Sequence, residues 1–222
     1  LYVRRQRETR RLRWLLHRAE ERAIPVERPD DETLAELAEG RSHGGVLARV
    51  GPRRFVALEA LVADEPRPFV VMLDGIEDPY NFGQAVRALY AAGVAGVVVR
   101  PRNWLTAAAV VARASAGASE RMPMAVAESA EAAADFYRQR GLIVAGAARD
   151  TAVSLYEADL QQAVFLLIGG EKRGVTRSFL QNADLRLAIP YERAFRYSLG
   201  AAASAAIVGF EMMRQRQVAE KK

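Results

Sequence analysis

The chain has 222 residues, 50% of them hydrophobic, with 32 Lys and Arg against 27 Asp and Glu and a net charge of +5. With no cysteine and only two histidines, disulfides, thiolate metal sites, cysteine nucleophiles and a histidine metal cluster are all excluded. No stretch reaches the roughly 20 apolar residues that cross a bilayer, and the arginine-rich start lacks the apolar core of a secretory signal, so a cytoplasmic protein with no membrane and no metal is expected.

The first residue is Leu1 rather than Met, and further residues upstream of it are expected. Residues 1–5 read as a short strand and 8–23 as a helix with Leu12, Leu15, Leu16 and Ala19 on one side. Arg4, Arg5, Arg7, Arg10, Arg11, Arg13, Arg18 and Arg22 crowd this stretch, which fits either a solvated helix face or a surface for a polyanion. Asp30 or Asp31 caps a second helix through Ala38. Residues 45–50 read as a strand and 54–61 as a short helix. Pro66 and Pro68, set among charges, mark a linker over 63–68. The domains are therefore read as 1–62, a linker over 63–68, and 69–222.

After the linker, apolar strands alternate with helices: strands over 69–73, 94–99, 122–126, 142–145, 164–168 and 185–189, and helices over 81–92, 106–116, 129–140 and 198–216, with a further helix capped at Thr176. Strands that are apolar throughout belong to a parallel sheet covered on both faces. The fold class is α/β with a mostly parallel sheet, preceded by a small α/β domain.

Three segments carry candidate chemistry. In DGIEDPYNFGQAVRALYAAG, residues 74–93, a turn follows a strand and a helix follows the turn, the place where open α/β sheets bind ligands. Asn81 and Gln84 have the spacing of a helix-capping pair, and Arg87 lies further along the same helix. In FLLIGGEKRGVTRSFLQNADLRLAIP, residues 165–190, the strand runs into Gly169 and Gly170 and then Glu171. Paired glycines either make a tight turn or let a ligand reach backbone amides. Neither the phosphate-loop spacing nor G-x-G-x-x-G is present, which speaks against nucleotide triphosphate or nicotinamide use. In RYSLGAAASAAIVGFEMM, residues 196–213, a helix begins with almost no side-chain bulk, open to packing by another backbone or by a ligand.

In this order and at these distances the three segments resemble the three motifs of the SpoU-TrmH family of RNA methyltransferases, over Phe69 to the C-terminus. The first domain resembles the family's substrate-binding domain, shortened at its N-terminus, with His43-Gly44-Gly45-Val46 where the family commonly has His-Gln-Gly-Val. The resemblance implies a SPOUT fold whose C-terminal part forms a deep trefoil knot, a topology no generic rule would suggest. It also implies a homodimer with the active site near the subunit boundary. The implied reaction is methyl transfer from S-adenosyl-L-methionine to a ribose 2'-hydroxyl of RNA, ribosomal RNA in preference to transfer RNA. The implied cofactor residues are Ala145, Gly146, Ala147, Gly169, Gly170, Ile189, Leu199 and Gly200. Asn81, Arg87, Glu171 and Ser198 fall at catalytic or site-organising positions. Two positions depart from the family pattern: Gly170 replaces a common Ser, and Gly200 replaces a common Asn. The second motivates an alternative, an RNA-binding relative without catalysis.

Overall fold

In the computed structural model, which describes residues 1–5, 9–38, 43–101, 107–149 and 152–219, the chain divides into two units, Leu1–Arg53 and Arg54–Lys222. Arg7, and the expected helix starts at Glu8 and Thr106, lie outside the described residues.

In the first unit β1 (Tyr2–Val3) pairs antiparallel with β2 (Val46–Leu47). Helix α1 (Arg10–Glu21) begins where the Thr9 hydroxyl accepts from the Leu12 amide at 3.2 Å. Helix α2 (Asp31–Leu37) begins where the Asp30 carboxylate accepts from the Thr33 amide at 2.8 Å; that backbone bond, foremost, holds the Asp30 carboxyl below its ordinary range. Val3, Ala19 and Leu34 are buried, while Trp14 stays 63% exposed among Arg10, Arg11 and Arg13. The turn into β2 puts Gly44 and Gly45 at φ of +58° and +81°, a region that favours glycine.

The second unit is built on one seven-stranded sheet in the order β5-β4-β3-β8-β6-β9-β7, every pairing parallel. The strands are β3 (Phe69–Asp74), β4 (Gly96–Val99), β5 (Met124–Val126), β6 (Ile143–Ala147), β7 (Val153–Ser154), β8 (Val164–Gly169) and β9 (Leu185–Ala188). Both faces are covered, so alternate residues of one strand enter different cores. Phe69, Val71 and Leu73 join the core containing helices α3 (Pro79–Ala91) and α7 (Ala201–Ala219), whereas Val70 and Met72 join Tyr137 of α5 (Ala130–Arg138) on the other.

Glycines set the helix spacing on the first face. A Cβ on Gly83 would stand 2.6 Å from Ala114 Cβ of α4 (Ala108–Ala114), and one on Gly209 would stand 3.1 Å from Ala92 Cβ. Side chains of α7 also hold distant loops. The Arg216 guanidinium donates to the carbonyls of Arg67 (2.6 Å), Gln162 (2.8 Å) and Leu160 (3.2 Å). Gln215 accepts from the Leu160 amide at 2.9 Å and donates to the Ala158 carbonyl at 3.0 Å.

Three local expectations are corrected. Residues 54–61 make one 3-10 turn, Leu58–Leu61, and pack in the second unit: the Val56 amide donates to the Met124 carbonyl at 2.9 Å, and Leu61 fills the space left by the missing side chain of Gly96. Helix α3 starts at Pro79, because Asp78 accepts from the Tyr80 amide and Pro79 suits the first helical position. Helix α7 starts at Ala201, leaving Ser198 and Leu199 outside it. Among the described residues no helix is long and apolar enough to cross a membrane.

Candidate active site

Parallel strands end together at one edge of the sheet. Asp74 of β3 stands opposite Gly169 of β8, Gly146 of β6 opposite Leu167, and Ala147 opposite Leu187 of β9. Beyond these carboxyl ends lies a cavity of about 580 Å³, inside the roughly 300–1,000 Å³ span of ligand sites.

One wall is the turn after β8. Its glycines are demanded by backbone proximity: a Cβ on Gly169 would collide with the backbone of Gly174, and one on Gly170 with the Gly75 carbonyl. The Gly174 amide closes the turn on the Gly170 carbonyl at 2.8 Å, with Gly174 at φ +60°. The turn is fastened to the segment after β3 by side chains as well. Asn81 Nδ2 donates to Glu171 Oε1 at 3.3 Å, and Lys172 Nζ to Glu77 Oε2 at 2.5 Å. Asn81 therefore does not cap α3; it joins residues 90 positions apart in the sequence.

The opposite wall runs from Leu187 to Tyr191 and from Ser198 into α7, where Ala201, Ser204 and Val208 complete it. Ser198 and Leu199 precede the helix, and the Leu199 amide donates to the Tyr191 hydroxyl at 2.9 Å. The lining is graded: Leu155, Leu166 and Ile168 are buried, whereas Arg149, Glu171, Lys172 and Arg173 are exposed. Buried apolar walls beside exposed charges of both signs suit a ligand that joins a flat ring to a charged tail.

Of the residues singled out from the sequence, Ala147, Gly169, Gly170, Glu171, Ile189, Ser198 and Leu199 line this cavity. Asn81 reaches it through Glu171. Ala145 and Gly146 lie in buried β6 outside the lining, and Gly146 gives up its side chain to Leu180, 2.6 Å from where a Cβ would stand. Arg87 is exposed on α3 and Gly200 is exposed ahead of α7, both outside the lining. Arg149, Leu155 and Tyr191 line the cavity but were not singled out. Arg149 follows β6 by two residues, and the alternation of aromatics with arginines after Pro190 was the available signal for Tyr191.

Residues 68–210 match the SpoU rRNA Methylase family, and residues 1–56 match the RNA 2'-O ribose methyltransferase substrate-binding domain. The chain is 30% identical over 220 residues to the 23S rRNA (guanosine-2'-O-)-methyltransferase RlmB of Shewanella oneidensis, covering 98% of this chain and 89% of that one. It is 35% identical over 211 residues to the protein of the same name from Xanthomonas campestris pv. campestris, covering 93% and 84%. The fold matches that of the SpoU methyltransferase AviRb from Streptomyces viridochromogenes, solved with S-adenosylmethionine, at a TM-score of 0.75 and 20% identity over 98% of this chain and 82% of that one. The chain belongs to the SpoU rRNA methylase family. Membership of this family makes it an RNA 2'-O-methyltransferase, and the alternative of a binding-only relative is set aside.

Proposed function

We propose that the substrate is ribosomal RNA, specifically a guanosine of 23S rRNA as named for the RlmB relatives, and that the cavity beyond β8, β6 and β9 is the catalytic site. The observation that carries this reading is the Asn81–Glu171 hydrogen bond, which brings the first motif onto the glycine turn of the second at the edge of a ligand-sized cavity.

S-adenosylmethionine, when bound, supplies an electrophilic sulfonium methyl group. Backbone groups of Gly169, Gly170, Ile189 and Leu199 would hold it, with Ala147 in contact and Ala145, Gly146 and Gly200 behind the wall. Since the Leu199 amide is given to Tyr191, the Leu199 carbonyl is its free-standing contribution. Ser198 and Glu171 would orient the ribose, and Asn81 fixes Glu171. Orientation of this kind contributes on the order of 7–11 kcal/mol to a bimolecular step. Arg87 is a guanidinium and a poor base; its role is to bind the neighbouring phosphate and stabilise developing negative charge on the 2'-oxygen. Its exposure outside its own chain's cavity favours a homodimer in which it serves the cavity of a second copy.

The strand order, with β6 between β8 and β9 while α7 returns to α3, supports a C-terminal trefoil knot. The Leu1–Arg53 unit, with its exposed arginines, serves as the RNA-binding domain of a cytoplasmic enzyme. The test is to map ribose methylation on rRNA after incubation with labelled cofactor. Arg87→Ala should abolish transfer and leave cofactor affinity intact; turnover near wild type refutes the role given to Arg87, and an absence of 2'-O-methylation by the wild type refutes the function.

A further inference from the structure

The segment between Pro190 and Ser198 reads Tyr-Glu-Arg-Ala-Phe-Arg-Tyr, and all seven residues are exposed. Its three rings are gathered outside the core. The rings of Tyr191 and Phe195 lie 6.3 Å apart and those of Phe195 and Tyr197 5.5 Å apart, and the three residues are 37%, 53% and 56% exposed in chain order. Burial in the core explains nothing about such a cluster, because water still reaches every ring, and exposed contiguous apolar surface marks a site of interaction.

The cluster is also held in place. The Arg149 guanidinium donates to the carbonyls of both Phe195 and Arg196. The Tyr191 hydroxyl takes the Leu199 amide and so ties the cluster to the cavity wall. Arg196 stands over the Tyr197 ring at 4.9 Å and donates to its hydroxyl at 2.7 Å. Arg149, Arg193 and Arg196 outnumber the single acid, Glu192.

We propose that Tyr191, Phe195 and Tyr197 form a stacking platform for an RNA base next to the reacting ribose, with Arg193 and Arg196 facing its phosphates. The proposal rests on the RNA methyltransferase reading. A ribose presented to the cavity carries its base along, and RNA bases that leave the helical stack are received by aromatic rings and guanidinium planes. The arginine content favours a polyanion over an apolar protein surface, where charge would have to be desolvated.

The test uses a labelled 23S rRNA fragment that the wild type retains, titrated against the full chain and the variants Phe195→Ala and Tyr197→Ala. Each variant should weaken RNA binding about tenfold, or about 1.4 kcal/mol, with unchanged calorimetric affinity for S-adenosylmethionine and unchanged sedimentation. Phe195→Trp should retain binding and Phe195→Leu should lose it, a distinction that simple packing would not make. RNA affinities within twofold of wild type for both alanine variants overturn the platform. So does a change in sedimentation in either variant, which would assign the rings to a contact between copies of the chain. If the wild type transfers no methyl group, the function assigned above fails, while the comparison of RNA affinities still decides the platform.

Discussion

The two walls of the cavity are made in opposite ways. The course of the turn Gly169 to Gly174 is set by backbone against backbone, with no room for a side chain at its first two residues, and the Asn81–Glu171 and Lys172–Glu77 contacts fasten it further. The segment Tyr191 to Gly200 is held by side chains, chiefly Arg149 and the Tyr191 hydroxyl, and a Cβ on Gly200 meets nothing within 4 Å. A backbone-built wall fixes position within narrow limits and in this chain leaves no open space for a side chain at Gly169 and Gly170. A side-chain-built wall can change its surface while keeping its course.

Gly170→Ala should strike hardest, because its methyl group would meet the Gly75 carbonyl and neither backbone can retreat without breaking the β3–β8 register. A loss of about 3 kcal/mol or more is expected in denaturant unfolding, and a loss below about 1 kcal/mol would erase the contrast between the walls. Arg149→Ala should remove two charge-assisted bonds from an exposed segment and cost about 1 kcal/mol. The effect should be local: amide hydrogen exchange should quicken over 191–199 while the global unfolding midpoint hardly moves, and a fall in the midpoint matching that of Gly170→Ala would contradict it. Gly200→Asn should be the mildest, since Gly200 precedes the first residue of α7 and its carbonyl accepts from the Ser204 amide at 3.0 Å. An Asn there gains a capping bond and a few tenths of a kcal/mol; any marked destabilisation would show that the position is less open than it stands.

The strands were legible wherever burial on both faces left an unbroken apolar run, as over residues 69–73 and 164–168, each one residue short of the strand observed. The edge strand Val153–Ser154 is only two residues long and has no period to detect. The spacing of Asn81 to Gln84 imitates a capping pair, whereas the pair Asp78-Pro79 carries the true cap. The bond of Asn81 to Glu171 spans 90 positions and leaves no local trace in the sequence. The glycine turn was visible, but its cause was not, since the obstacle is the carbonyl of Gly75 on another strand's loop. The start of α7 is not marked in the small-residue run, because the first bond of the helix, Ser204 amide to Gly200 carbonyl, leaves no side-chain signal in the sequence.

The grip of Arg216 on the carbonyls of Arg67, Leu160 and Gln162 reaches across as many as 149 positions. Contacts so remote in the chain demand that large loops close before any reward is collected, and topologies dominated by them reach the native state slowly, on timescales of milliseconds to seconds and beyond. Folding of this chain is therefore expected to be slow, with the apolar faces of β3 and β8 open to self-association until they pair.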